Sequence, residues 1–383
     1  MQRIYLDHAA TTPTDPAVVQ AMLPYFTEGY GNPSSVHAFG RESRRAVEAA
    51  RRQVAAAIGA KPSEIYFTNG GTESDNWVLK GTAFALGDKG RHIITTAVEH
   101  HALLHTCQWL EKQGFAVTYL PVDAQGRVNP EDVAAAIRPD TILISVMMAN
   151  NEVGTLQPVQ EIGAIAKAHG ILFHTDAVQA MGAVPVQVDD LHADMLSLSG
   201  HKFYGPKGIG ILYLRTGVRL DHLLHGGAQE RGQRAGTENL PAIVGLGEAI
   251  RLCQERMGEN VRIAALRDKL EHGILAALPD ARVNGDPTHR LPGNLNVCFP
   301  DVDGEALLLR LDLAGVGASG GSACTSGSVD PSHVLLAMGL DRDHARSSIR
   351  FSLGRDNTEE EIENVLSILP TIVRDLRGQR AHG

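Results

Sequence analysis

Cys324 stands in GASGGSACTSGS, residues 317–328, among glycine, serine, alanine and threonine. A structural cysteine is usually a small apolar filler among apolar neighbours, so a thiol in this setting is unusual. Lys202 follows the apolar run MLSLS, and Asp176 falls just past another such run in ILFHTDAVQA, with Gln179 three residues on. A carboxylate at that place can hold a protonated ring nitrogen or simply cap a turn. Asp176 and Lys202 lie 26 residues apart, about one helical crossover, so they could face each other at neighbouring strand ends. In FTNGGTESDNWVLKG a strand runs into two glycines and then a helix start. Free N–H groups there make an anion site, and Thr72 with Asp75 also has the spacing of a capping box.

Two other patterns exclude chemistry. Gly200 and Gly205 have the spacing of a nucleotide-binding P-loop, but Pro206 stands where that motif requires lysine. In VEHHALLH, His101 and His105 are four residues apart and could bind a metal, yet no third ligand is evident and the HExxH order is absent. They read as ordinary helix-start or surface residues.

These groups need a scaffold. Between residues 64 and 214 the runs EIYFT, HIITT, FAVTYL, TILISVMM, ILFHT, MLSLS and GIGILYL alternate with helical periodicity. That pattern predicts an α/β fold, a largely parallel sheet covered by helices, with binding groups at the carboxyl ends of the strands. Two helical stretches follow from Pro241 to about Leu278. Then come strands NLNVCF and SIRFS and helices over 304–313, 331–338 and 358–376. They predict a smaller α+β domain joined by the N-terminal segment: a large domain over 15–257, and a small one formed by 1–14 and 258–383.

The chain has 383 residues, 43% hydrophobic, with a formal net charge of −9 whose signs are interspersed. Nucleic acid and anionic membranes are therefore not expected partners. No apolar stretch approaches the ~18 residues of a membrane span, and MQRIYLDHAATTPTDP has no signal-like h-region, so a soluble, unexported protein is expected. Cys107, Cys253, Cys298 and Cys324 show no CxxC spacing, which argues for free thiols in a reducing cytoplasm.

Taken together, YLDHAATTP, NGGTESDN, EHHALLH, MANNEVG, HTDAVQ, SGHKFYGPKG, QERGQRAGTEN, SGGSACTSGS and SSIRFSLGR resemble, in order, the cysteine desulfurases of the NifS and IscS type, within the aminotransferase class V family of pyridoxal-phosphate enzymes. The resemblance spans almost the whole chain. It implies the fold type I of PLP-dependent transferases, with a mostly parallel seven-stranded sheet in the large domain. It implies Lys202 as the lysine that carries the cofactor and shuttles the Cα proton, Asp176 on the pyridinium nitrogen, Gln179 on the phenolic oxygen and His100 stacked on the ring. Gly71, Thr72, Ser199 and His201 would hold the phosphate, Asn151 and Gly200 would also touch the cofactor, and Thr237 would reach the phosphate of the other subunit of a homodimer. Asn151 and Arg350 would hold the substrate L-cysteine, Arg350 by its carboxylate. Cys324 would accept the sulfur as a persulfide, with alanine released, and would pass it to an acceptor such as an iron–sulfur scaffold. The resemblance implies no intrinsic metal, though Cys324 could transiently ligate an iron–sulfur cluster together with a scaffold partner.

The long small-residue segment around Cys324 resembles group I desulfurases. After PTIVRDLRGQRAHG there is no further tail of the kind that helps housekeeping members dock a scaffold, which favours a NifS-like role in a dedicated pathway. The rival readings are a selenocysteine lyase, another class V PLP enzyme, and a non-catalytic scaffold that keeps the fold. Cys324 separates the desulfurase from the first two, and Lys202, Asp176 and Cys324 together separate it from the last.

Overall fold

A computed structural model describes residues 3–320 and 330–380. Strand β1 (Ile4–Tyr5) precedes seven strands: β2 (Ile65–Thr68), β3 (His92–Thr96), β4 (Ala116–Leu120), β5 (Thr141–Ser145), β6 (Leu172–Asp176), β7 (Met195–Ser199) and β8 (Gly210–Leu214). These seven form one sheet in the order β2-β8-β7-β6-β5-β3-β4. All neighbours are parallel except where β8 runs antiparallel between β2 and β7. The seven apolar runs of the sequence are these strands. Every residue of β3, β5, β7 and β8 is buried, as expected of a sheet covered on both faces.

Helix Ala38–Ile58 was not among the expected elements. It buries Val47, Ala50, Arg51, Val54 and Ile58, a stripe at helical spacing, and ends at Gly59 in the left-handed region at φ +70°. It packs on helix Leu240–Glu255 and holds the charged pair that fixes the sheet's outer edge. Arg51 donates two hydrogen bonds of 2.8 Å to the Glu230 carboxylate and one of 2.7 Å to the carbonyl of Ile65, while Glu230 accepts the Phe67 N–H at 3.0 Å. Both side chains are buried.

The crossover from β6 to β7 differs from the expectation. Residues 177–194 hold turns and no helix, because the chain there runs QAMGAVPVQVDD, where glycine and proline break a helix.

The second core gathers Ile4 and Leu6 with Leu266, Leu270, Val297, Phe299, Leu307, Ile349, Phe351 and Val365. Around it lie β9 (Arg282–Asn284), β10 (Asn294–Cys298), β11 (Val316–Gly317), β12 (Ser319–Gly320) and β13 (Ser348–Ser352), with helices Asn260–Ala277, Gly304–Leu313 and Glu359–Arg380. Strands β12-β13-β10-β9 make an antiparallel sheet, and β1 pairs in parallel with β11. The chain's beginning is thereby stitched to its last third.

Removing Arg51 leaves the Glu230 carboxylate buried without its guanidinium, whereas removing Glu230 leaves Arg51 the more exposed Glu48 carboxylate at 3.0 Å. Arg51→Met should cost about 3–5 kcal/mol of stability, Glu230→Met less, and the double variant Arg51→Met/Glu230→Met distinctly less than their sum. Denaturant titration of the three variants checks this.

Candidate active site

The site is built at the carboxyl ends of β6 and β7. These strands are parallel neighbours, with Asp176 paired to Ser197, so Asp176 and the turn after Ser199 emerge at the same edge. Asp176 is 6% exposed, and its Oδ1 accepts the N–H of Val178 at 2.9 Å. The turn-forming role and the role of a buried charge therefore coexist in one carboxylate. Burial pushes its pKa up, while the ammonium of Lys202 works against that shift.

Past Ser199 the chain makes a single 3-10 turn, Gly200–Lys202. It presents Lys202 to the N-terminal segment, and the Lys202 ammonium donates to the carbonyls of Ala9 at 2.6 Å and Ala10 at 2.7 Å. Gln179 reaches the same Ala9 carbonyl at 2.9 Å. His201 sits 3.1 Å from the Thr11 hydroxyl through Nδ1, and its carbonyl accepts from both the N–H and the hydroxyl of Thr12. Burial, reinforced by Lys202 and Lys207, pushes His201 down to about 4.

The expected capping box is absent from the start of helix Gly71–Ala85, which leaves its first turn available to an anion. The N-cap is Gly70, at φ +148°, with no side-chain cap, and Asp75 is buried instead of bonding back to Thr72. The first-turn N–H groups therefore open onto a cleft lined by Thr72, Ser199, His201 and Lys207. Gly71 is required by close approach, since a Cβ would stand 2.8 Å from Cγ2 of Val178. Glu73, the one carboxylate of that first turn, is turned to Arg234 at 2.8 Å.

His100 caps helix His101–Lys112, its Nδ1 accepting the Ala102 N–H at 3.1 Å, which leaves the ring proton on Nε2. Burial first, then Lys202 and neighbouring imidazoles, push it down to about 4, so the ring is neutral near pH 7. Arg350 lies on β13, 2% exposed. Its guanidinium donates to the backbone carbonyl of Asn151 at 2.8 Å, to the Asp7 carboxylate at 2.9 Å and to the Ser319 hydroxyl at 2.8 Å. Its Nε has no partner among the described residues.

Thr237 is not drawn into this group. It is exposed and lines an adjoining cleft that shares Asn69 and Gly208 with the anion site. Cys324 lies outside the described residues. The other three thiols are packed: burial pushes Cys107 and Cys253 each up to about 12 and raises Cys298.

Several site residues escaped the sequence reading. Asp7 holds Arg350. Glu99 is buried, accepting from Met147 N–H and the Thr96 hydroxyl, and its carbonyl accepts from His333 Nε2 at 2.9 Å. Glu152 is buried and accepts from the Ser332 hydroxyl. The one available signal was acid type beside a chosen residue, Glu99 before His100 and Glu152 after Asn151. His333 also supplies an imidazole 4.6 Å from His101, which lies 4.9 Å from His105. No group of three metal-ligating side chains among the described residues is placed to hold a metal ion.

A buried acid and a lysine at adjacent parallel strand ends, beside an uncapped helix N-terminus, define a site of the aminotransferase class V kind. The chain belongs to that family, whose pattern it matches over residues 4–365. Within the family its relatives are cysteine desulfurases. It is 57% identical over 375 residues to the protein named cysteine desulfurase IscS of Methanosarcina thermophila, covering 98% of this chain and 93% of that one. The protein of Trichormus variabilis named cysteine desulfurase 2 is 53% identical over 377 residues, covering 98% and 94%. A solved NifS-like protein superposes with a TM-score of 0.93 at 42% identity, covering 98% of this chain and all of that one. A structure described as SspA in complex with cysteine gives 0.82 at 39% identity, covering 93% and 100%.

Burial pushes the Glu152 carboxyl up to about 7 from 4.5. The folded chain then keeps a proton that the unfolded chain releases, so this group contributes stability at low pH that is lost as pH rises through 4.5 to 7. Glu152→Gln lacks that loss. Relative to wild type, the variant should gain up to about 3 kcal/mol across the window and then level off, as read by denaturation at a series of pH values. A difference that does not change with pH would show an ionised Glu152 in the folded chain.

Proposed function

We propose that this chain is a pyridoxal-phosphate-dependent cysteine desulfurase that converts L-cysteine to L-alanine and leaves a persulfide on Cys324. The observation that carries the reading is the placement of Lys202 and Asp176 at neighbouring strand ends beside the uncapped helix N-terminus. The residues present fit pyridoxal phosphate: a helix N-terminus free of a side-chain cap and a buried acid with a lysine at the neighbouring strand end. When bound, the cofactor supplies an electron sink next to the substrate's Cα.

The chain's own residues do the rest. The N–H groups of the first turn, with Thr72, Ser199 and His201, would hold the phosphate, and Gly200 lets the backbone turn there. Asp176 would hold a proton on the ring nitrogen, and Gln179 would donate to the phenolic oxygen. His100, neutral, would pack on the ring. Arg350 takes the substrate carboxylate with a guanidinium that Asp7 and the Asn151 carbonyl already orient, so little ordering remains to be done on binding. The Lys202 amine holds and moves the Cα proton. The Cys324 thiolate then attacks the substrate sulfur. The new S–S bond forms as the substrate's C–S bond breaks, its electron pair stays on carbon, and protonation of that carbon completes alanine. The thiols of Cys107, Cys253 and Cys298, all pushed above their ordinary pKa, are poor nucleophiles for this step.

The same reading includes a cytoplasmic homodimer in which Thr237 serves the partner's phosphate, a large unit over 15–257 and a small one over 1–14 and 258–383, and a sulfur-acceptor protein as the downstream partner. Among the described residues no helix is long and apolar enough to cross a membrane.

Asp176→Asn should leave the fold intact and lower kcat by about 10²–10³, because an amide cannot hold the ring proton. Steady-state alanine production measures it. Cys324→Ser should bind cofactor and take up L-cysteine with a spectral change, yet yield no protein persulfide and almost no alanine, since a serine hydroxyl stays protonated at neutral pH. Alanine and sulfide formed at the wild-type rate would instead identify a lyase that needs no protein nucleophile.

A further inference from the structure

Helix Gly71–Ala85 serves the anion site with its first turn, and one turn deeper it carries Asp75, 1% exposed. Asp75 packs on the face of β6 and β7. His174 and Asp176 are two apart on β6 and share that face, and Ser197 is the registered partner of Asp176 on β7. His174 Nε2 lies 3.8 Å from Asp75 Oδ1 and 3.0 Å from the Ser197 hydroxyl, and His174 Nδ1 lies 2.8 Å from the Ser145 hydroxyl. The Ser197 hydroxyl also bonds to Asp75. Asp75 Oδ1 has no hydrogen-bond partner among the described residues.

Among the described residues no lysine or arginine pairs with Asp75, and His174 does not supply a charge, because burial pushes it down to about 3. Asp75 thus faces a neutral imidazole, a hydroxyl and a second carboxyl group. Two carboxyls in one dry region do not both ionise. Asp176 has the Val178 N–H and the Lys202 ammonium to stabilise a charge, and Asp75 has neither. Burial, then the charge of Asp176, then that of Glu99, all push the Asp75 carboxyl up, with Ser197 opposing.

We propose that Asp75 is a positioning residue that holds a proton, so that the single negative charge of this buried pair sits on Asp176, toward the ring nitrogen. The inference rests on the cofactor reading given above for Asp176. As a neutral acid Asp75 donates into the Ser197–His174 pair. An ionised Asp75 would draw a proton onto Asp176, and the partner of the ring nitrogen would be lost.

The test uses the full chain, with and without pyridoxal phosphate, and three readouts. In infrared difference spectra of wild type against Asp75→Asn near pH 7, the variant should lose the C=O band of a protonated carboxylic acid, a band that shifts in heavy water. Loss of a carboxylate band instead would overturn the proposal. The melting temperature of Asp75→Asn relative to wild type should rise with pH from about 4 upward, because only wild type must keep a proton that its unfolded chain has released. A difference that is flat or falls with pH would overturn it. Glu99, His174 and Asp176 face Asp75 in both proteins and leave the sign unchanged. Should Asp75→Asn not fold, Asp176→Asn decides: with its charged neighbour gone, the Asp75 band should titrate at lower pH, and an unmoved titration refutes the coupling. All three readouts are taken without cofactor as well, so a failure to bind pyridoxal phosphate would count against the function and not against the proton on Asp75.

Discussion

A carboxylate at the dry end of an apolar strand is unstable unless its surroundings supply opposing charge or donors. Asp176 is such a carboxylate, and the arrangement of its neighbours follows from that constraint. The parallel register brings the turn after β7 alongside, which puts a lysine within electrostatic reach. The tight turn after β6 supplies a backbone N–H. The imidazole between β5 and β7 stays neutral and spends both ring nitrogens on serine hydroxyls, adding no competing charge. A pyridinium ring is the natural complement of the remaining negative charge.

The N-terminal segment is the second organising element. Its first residues lie in the smaller core, while Asp7 meets Arg350, Ala9 and Ala10 meet Lys202, Thr11 meets His201, and Thr12 meets His201 and Tyr204. Arg350, Lys202 and His201 are therefore referenced to one short stretch of backbone. A displacement of that stretch would alter all three at once, which is why its many bonds to the two cores matter for chemistry as well as for packing.

Much of this was legible in the sequence. The seven strands of the main sheet announced themselves as short apolar runs bounded by turn residues, and Asp176 and Lys202 were found because each closely follows such a run. The two- and three-residue strands β1, β9, β11 and β12 were not, since they are too short to show a period. The capping box failed for a physical reason: Asp75 has the right spacing from Thr72, but Gly70 is the N-cap, and Asp75 is drawn into the interior by contacts from strands about a hundred residues away. The hold of Asp7 on Arg350 was invisible for the same reason, because 343 residues separate them. Spacing reports neighbours along a helix or strand, and it does not report which distant elements meet.

The pairing of β1 with β11 has a consequence for how the enzyme is made. Ile4 and Leu6 donate their N–H groups to the carbonyls of Gly315 and Gly317, and His8 to that of Ser352. On a ribosome the first residues emerge long before those partners exist. Contacts of such sequence separation form late and slow a fold's completion. The main sheet, closed by residue 214, can form while synthesis continues, with its lysine and its acid already at neighbouring strand ends. The segment that clamps Lys202 and orients Arg350 has to wait for the chain's last third, so competence for chemistry arrives only with a finished chain.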